Sequence, residues 1–101
     1  MVKASIILTT YNRPELLKRS LKSALGQTFK DYEIIIVDDC SRVPAEVPKG
    51  VRLVRHKLNM GLSVARNTGI KVAKGKYVVC LDDDNELMPS FLQKTVDNIG
   101  E

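Results

Sequence analysis

The chain has 101 residues, of which 44% are hydrophobic and 28% charged, with a formal net charge of +4. This length and composition predict one globular domain, residues 1–101. No apolar run reaches membrane-spanning length, and the run at residues 4–8 is too short to predict a signal peptide. The 16 basic residues are scattered and the five aromatic residues form no stacking pattern, which argues against nucleic-acid binding. The positive charge is compatible with an anionic ligand, or with peripheral contact to an acidic membrane.

The first half of the chain alternates strand, helix and strand. Residues 4–9 form an apolar run rich in β-branched side chains, which predicts a strand buried on both faces. Pro14 suits the first position of a helix, and Gly26 ends it. The predicted apolar stripe of this helix is Leu16, Leu17, Leu21, Ala24 and Leu25. Residues 32–37 predict a second buried strand, and the proline-containing stretch 40–50 predicts a loop.

The second half repeats the alternation. Residues 51–56 predict a third, weaker strand, and residues 61–74 a helix that Gly75 ends. Residues 76–81 predict a fourth strand buried on both faces, and residues 89–99 a last helix. Because strands and helices alternate and the strands are apolar on both faces, the pattern predicts a parallel α/β sheet with right-handed crossovers.

Four acidic or amide side chains follow the fourth strand directly: Asp82, Asp83, Asp84 and Asn85. Two carboxylates about 6 Å apart repel by roughly 2–3 kcal/mol at an effective dielectric constant near 20. A divalent cation removes this cost, and oxygen ligands favour Mg²⁺, Mn²⁺ or Ca²⁺ over zinc. The alternative is a solvated acidic loop in which salt screens the repulsion.

Polar residues follow three of the predicted strands. They are residues 9–12 after the first strand, 38–39 after the second and 82–85 after the fourth. In a parallel α/β sheet, ligands bind beyond the carboxyl ends of the strands, where the strand order reverses. These three segments are therefore expected to meet at one edge of the sheet and to form a binding site.

Several of these segments resemble, in the same order, the motifs of family 2 glycosyltransferases. They are residues 5–13 (SIILTTYNR), 23–29 with 32–41, 59–70, and 75–89, which include the metal-binding aspartate motif. The resemblance spans the whole chain. It implies a three-layer, Rossmann-like half of a GT-A fold, with a mainly parallel four-stranded sheet of order 3-2-1-4, helices on both faces, and a nucleotide-sugar donor on the rim.

The resemblance, with the chemistry of the side chains, assigns the nucleoside end of the site. Thr9 can hydrogen-bond the nucleobase or ribose, and Tyr11 offers a ring face and a hydroxyl. Asp39 is an acceptor for a uracil N–H or a ribose hydroxyl. Asp38, at the strand end, is expected to bond loop amides. A UDP-sugar is the favoured donor because UDP is the commonest donor nucleotide of the resembling family.

At the diphosphate end, Asp84 is expected to bind the metal directly. If the backbone is extended, Asp82 points the same way as Asp84 and is a second ligand, and Asp83 points the other way. Asp82 or Asp83 would hold ribose or a metal-bound water. Mg²⁺ or Mn²⁺ would bridge a carboxylate and the diphosphate. Arg66 either reaches the diphosphate or pairs with the aspartates, and His56 is expected to be an ordinary strand residue.

Inverting transfer needs a general base, which the resembling family carries on a later segment with the acceptor site. We therefore expect the base to lie beyond Glu101 and this chain to bind donor without transferring sugar alone. The fourth strand would then be an exposed apolar edge, which predicts a homo-oligomer. Cys40 and Cys80 follow or lie in strands that the implied order separates, so we expect no disulfide and a cytoplasmic location.

Other classes fit the sequence less well. A dinucleotide-dependent oxidoreductase lacks its G-x-G-x-x-G after the first strand, and a receiver-type phosphoryl-transfer domain lacks its acid pair there. An EF-hand loop would need glycine where Leu87 stands. The remaining alternative is a non-catalytic nucleotide-binding module, or an engineered or excised half-domain.

Overall fold

The computed structural model describes residues 2–99, apart from the side chain of Ile99. The elements follow the predicted order along the chain. They are β1 (Ala4–Thr10), α1 (Pro14–Leu25), β2 (Tyr32–Asp38), β3 (Arg52–Arg55), α2 (Leu62–Val72), β4 (Tyr77–Asp82) and α3 (Phe91–Ile99). None of the described helices is both long and apolar enough to cross a bilayer.

The four strands form one parallel sheet in the order β3-β2-β1-β4, as predicted. Every residue of β1 is buried, because β1 lies inside the sheet and both of its faces are covered. Ile6 and Leu8 pack with residues of α1 and α3, whereas Ile7 packs with Ala65 of α2 on the opposite face. Each fully buried Ile or Leu contributes about 1.5–3 kcal/mol. The three-layer α/β fold is therefore confirmed.

Helix α1 begins and ends where the sequence predicts. Arg13 is its N-cap, Pro14 follows at the first helical position, and the N–H of Gly26 bonds back to the last turn. Leu17, Leu21 and Ala24 of the predicted stripe are buried, but Leu25 is exposed. The helical twist of about 100° per residue carries Leu25 past the buried edge of the stripe.

Strand β4 is not buried on both faces, so that prediction is wrong. Leu81 is buried and Val79 packs against the α1 side of the core, but Val78 is 40% exposed and Cys80 is exposed. The reason is that α2 packs over β1 and β2 and leaves its face of the outer strand uncovered. Both cysteines are free thiols, as expected.

Gly69 allows α2 to lie close to the sheet. A Cβ atom at this position would stand 2.2 Å from Cγ2 of Ile7, which is fully buried in β1. Any side chain would push the helix away from the strand. Because α2 also supplies part of the cleft wall at the carboxyl end of the sheet, this contact links core packing to the geometry of the site.

Candidate functional site

A cleft of about 450 Å³ lies at the carboxyl ends of β1, β2 and β4. This is the edge at which the sequence predicted that the polar strand ends would meet. Six of the seven predicted site residues line the cleft; Arg66 does not, but its guanidinium bonds Asp82 at the wall. The lining residues are Thr9, Thr10, Tyr11, Arg13, Asp39, Asn59, Gly61, Leu62, Ala65, Asp82, Asp83 and Asp84.

Two neighbouring threonines at the end of β1 differ in their hydrogen bonding. Thr10 Oγ1 donates to Oδ2 of Asp83 over 2.9 Å. Thr9 is only 3% exposed, and its Oγ1 is buried without a hydrogen-bond partner in the described part of the chain. A buried hydroxyl without a partner costs about 1–3 kcal/mol, so such groups call for an explanation. Thr9 lines the cleft, so a turn of its side chain would bring the covered hydroxyl to a bound ligand that supplies the missing partner.

The acidic segment after β4 is a turn and not extended backbone. The strand ends at Asp82, and the N–H of Asn85 bonds to the carbonyl of Asp82 over 3.0 Å. The assumption that Asp82 and Asp84 point the same way along an extended strand is therefore wrong. The turn gives the three carboxylates different surroundings, which eases the repulsion expected from their adjacency.

Two of these carboxylates are paired within the protein. Asp82 accepts from Arg66 Nη2 at 3.0 and 3.3 Å, so Arg66 takes the second of its two predicted roles in this structure. Asp83 is buried and accepts from Thr10 and, over 3.4 Å, from Arg13. Asp84 is exposed, and its carboxylate makes no hydrogen bond or ion pair with any of residues 2–99.

Ser20 of α1 holds the turn from below, and the sequence analysis missed it. Its hydroxyl is buried and lies within hydrogen-bond distance of the carbonyl oxygens of Asp83 and Asn85. The signal was present in the sequence, because Ser20 stands between Leu17 and Leu21 on the apolar stripe. A small polar residue on a buried stripe needs a partner, and here the partner is the acidic turn.

A divalent cation fits this site only with help from a ligand. No three His, Cys, Asp or Glu side chains within residues 2–99 are grouped to hold a metal by themselves. Asp84 offers an open carboxylate, whereas Asp82 would first have to release Arg66. Mg²⁺ characteristically binds one or two carboxylates together with substrate phosphates. Asp84 would therefore hold a hard cation together with phosphate oxygens of a bound ligand.

Asp38 is a structural residue, as predicted. Its Oδ1 accepts from the Ser41 amide over 2.9 Å and its Oδ2 from the Ala45 amide over 2.8 Å. Arg55 of β3 lies 3.7 Å from the same Oδ2. The fully buried carboxylate thus orders the loop that follows β2 and helps to fix the position of the next residue, Asp39.

Asp39 lines the cleft but also accepts three hydrogen bonds. Its Oδ1 accepts from His56 Nδ1 over 2.7 Å and from the Met60 amide over 2.9 Å, and its Oδ2 accepts from the Gly61 amide over 2.9 Å. Burial raises the pKa of Asp39, but these three hydrogen bonds together with the charge of His56 outweigh it, so the pKa lies below its ordinary value. His56 follows β3, and its Nε2 lies 2.8 Å from Oγ1 of Thr68.

Comparison with known proteins finds one protein family along almost the whole chain. The model of glycosyl transferase family 2 matches residues 5–101. A poly(ribitol-phosphate) beta-N-acetylglucosaminyltransferase, TarP of Staphylococcus aureus, is 45% identical over 103 residues, which cover 92% of this chain and 32% of TarP. The chain spans about a third of the length of the curated relatives it matches.

Solved structures share the fold. The crystal structure of S. aureus TarS 1-349 in complex with UDP-GlcNAc superimposes with a TM-score of 0.86 at 25% identity, covering 97% of this chain and 31% of TarS 1-349. The mannosyltransferase PcManGT from Pyrobaculum calidifontis, in complex with GDP-Man and Mn²⁺, gives a TM-score of 0.83 at 22% identity, covering 98% of this chain and 32% of PcManGT.

Proposed function

This chain belongs to glycosyl transferase family 2, and from that premise we propose that it binds the nucleotide-diphospho-sugar donor for inverting glycosyl transfer. A UDP-sugar is the favoured donor, with Mg²⁺ or Mn²⁺ as cofactor. The observation that carries the proposal is the cleft itself. It contains a buried hydroxyl without a partner, on Thr9, and an open carboxylate, on Asp84. The TarS complex with UDP-GlcNAc supports the choice of donor.

The nucleoside end of the donor belongs at the end of β1 and β2. Thr9 Oγ1 bonds the base or ribose and so gains the partner that it lacks in the protein alone. Tyr11 is 44% exposed beside it and presents a ring face on which a base can stack. Asp39 accepts one further hydrogen bond from the base or from a ribose hydroxyl.

The diphosphate belongs at the acidic turn. A bound Mg²⁺ or Mn²⁺ would be held by Asp84 and the phosphates, and it would neutralise charge that develops on the departing nucleotide. Arg66 either stays on Asp82 or moves to the diphosphate, in which case Asp82 becomes free to act as a second ligand. Asp83 is held by Thr10 and Arg13, so it contacts the nucleotide only if those bonds open.

We place the general base outside the cleft described above. Inverting transfer requires a base beside the acceptor hydroxyl. Asp39, Asp82 and Asp83 all accept hydrogen bonds within the protein, and Asp84 is assigned to the metal. Residues 2–99 therefore bind the donor without transferring sugar by themselves.

The proposal is tested by isothermal titration of the protein with UDP, GDP, dTDP and CDP in the presence of Mn²⁺. Binding of UDP, more tightly than of the others, is the expected result. Binding of none of the four nucleotides would contradict the assignment of the cleft, while preference for GDP or dTDP would change only the donor.

A second candidate is a non-catalytic nucleotide-binding module, which is favoured because the open carboxylate of the described cleft, Asp84, is assigned to the metal and the other described cleft carboxylates accept hydrogen bonds within the protein. The two candidates differ in turnover. A glycosyltransferase, supplied with donor, metal, an acceptor that carries a hydroxyl and the acceptor-binding part of the protein, moves the sugar to that hydroxyl and releases free UDP over time. A binding module retains the donor intact under the same conditions.

The exposed face of β4 supports a homo-oligomer, because β4 is the outer strand of the sheet and exposes Val78 and Cys80. Sedimentation should show a dimer or larger species, and a monomer at high concentration would contradict it. The two free thiols support a cytoplasmic location. The net charge of +4 supports peripheral contact with acidic membranes, which co-sedimentation with anionic vesicles tests.

A further inference from the structure

His56 is the single histidine of the chain, and it connects three elements beside the cleft. Its side chain is 12% exposed and lies between Asp39, which follows β2, and Thr68 of α2. It stands directly after the last residue of β3. Because the ring is mostly buried, both of its nitrogens need hydrogen-bond partners, and each has one here.

The directions of the two hydrogen bonds follow from the partners. The Asp39 carboxylate can only accept, so Nδ1 of His56 carries a proton and donates to it. The Thr68 hydroxyl can also donate to the Val64 carbonyl, 3.0 Å away, or turn toward Nε2. It therefore accepts from Nε2 when that atom is protonated and donates when it is not. The bond to Asp39 is kept in either state of the ring.

This bond decides which oxygen of Asp39 a ligand can use. A carboxylate offers about two acceptor positions on each oxygen. On Oδ1 both are occupied, by His56 and by the Met60 amide, whereas Oδ2 accepts only from the Gly61 amide. One acceptor position therefore remains, on Oδ2, and the carboxylate cannot turn without breaking the bond to His56.

We propose that His56 is a positioning residue that fixes Asp39 so that its Oδ2 selects a pyrimidine base that carries a proton on N3. This inference rests on the proposed donor site. Uracil carries a proton on N3 and can donate to Oδ2. Cytosine has a lone pair at N3, which the carboxylate repels, and its amino donor stands at a different position of the ring, on N4. Without His56, one acceptor position on Oδ1 of Asp39 has no donor and the carboxylate can rotate. The affinities for UDP and CDP should then differ less.

The test compares two isosteric substitutions, His56→Asn and His56→Leu. Asparagine can place an amide N–H near the position of Nδ1. Leucine has nearly the shape of asparagine but carries no hydrogen-bond donor. Titration with UDP and CDP in Mn²⁺ should show that wild-type protein and His56→Asn prefer UDP. His56→Leu should lower the UDP-to-CDP affinity ratio about tenfold, the worth of one hydrogen bond to a charged group. Affinity for inorganic pyrophosphate should stay unchanged in both variants.

Equal ratios in the wild type and in His56→Leu would overturn the proposal. If the leucine variant does not fold, His56→Gln, whose amide reaches toward the Nε2 position, takes its place with the same expected loss. Because the chain has one histidine, ¹⁵N NMR also reads its ring directly. An Nδ1 without a proton at neutral pH would overturn the hydrogen-bond assignment. If the wild-type protein binds neither UDP nor CDP, the donor site itself is refuted. The NMR measurement would still show whether Nδ1 of His56 carries a proton.

Discussion

Thr9→Val separates the stability of the protein from its affinity for the donor. Valine has nearly the shape of threonine, so the packing of β1 is preserved and only the hydroxyl is lost. That hydroxyl is buried without a partner, and leaving such a group unpaired costs about 1–3 kcal/mol. We expect the variant to be more stable than wild type by about 1–2 kcal/mol. For a domain of this size each kcal/mol raises Tm by about 4–8 °C.

The same substitution should weaken nucleotide binding. If the hydroxyl pairs with the base or ribose, its loss removes one hydrogen bond worth about 0.5–1.5 kcal/mol, which is roughly a twofold to twelvefold rise in the Kd for UDP. Stability is measured by urea unfolding followed by circular dichroism, and affinity by isothermal titration with Mn²⁺ present.

Thr10→Val is the matched control for this experiment. The two threonines are adjacent in β1, but Thr10 Oγ1 donates to buried Asp83 over 2.9 Å. Its loss leaves a buried carboxylate oxygen without a donor and should destabilise the protein by about 1–3 kcal/mol. If Thr9→Val destabilises the protein as much as Thr10→Val does, the Thr9 hydroxyl has a partner in the unliganded protein and the reasoning is refuted.

Three further substitutions test the fold and the site. Gly69→Ala should lower the free energy of unfolding by about 1–3 kcal/mol, since its Cβ would stand 2.2 Å from Ile7; unchanged urea unfolding would contradict this contact. Ser20→Ala removes the hydroxyl that holds the acidic turn, so it should lower the free energy of unfolding by about 1 kcal/mol and also weaken UDP binding. A variant that loses stability but binds UDP with full affinity would show that the acidic turn does not contact the nucleotide. Asp39 has a lowered pKa in the folded protein, so its contribution to stability is present above the unfolded value of about 3.9 and is lost as the pH falls through the lower folded value. In the Asp39→Asn variant, Tm should therefore fall less steeply below about pH 4 than in the wild type. If Tm depends on pH identically in both proteins, Asp39 does not have the lowered pKa.

The sequence predicted the order of the sheet and the edge at which the site forms. The edge follows from local signals, namely β-branched runs, Pro14 at a helix start and polar residues at strand ends, whereas the order of the strands was implied by the resemblance to family 2 glycosyltransferases. The exposure of Val78 could not be predicted in the same way. It depends on where α2 lies across the sheet, and that position is set by the contact of Gly69 with Ile7.

Six of the seven predicted residues line the cleft, and the pair of Arg66 with Asp82 was one of two predicted roles, but the other hydrogen bonds within the site were not predicted. The hydrogen bond between His56 and Asp39 joins residues 17 positions apart, and no local pattern reports such a contact. The turn at Asp83 and Asp84 was missed because an acidic run by itself does not distinguish extended backbone from a turn. Ser20, which holds that turn, was the one missed residue that a closer reading of the helical stripe would have found.

The most direct test of the account is the metal dependence of UDP binding. We expect UDP to bind in Mn²⁺ and to lose at least tenfold in affinity when EDTA removes the metal. Asp84→Asn should bind UDP weakly in both conditions, because the open carboxylate is the proposed protein ligand of the cation. Equal affinity for UDP with Mn²⁺ and with EDTA would contradict the claim that this cleft binds the diphosphate through a divalent ion.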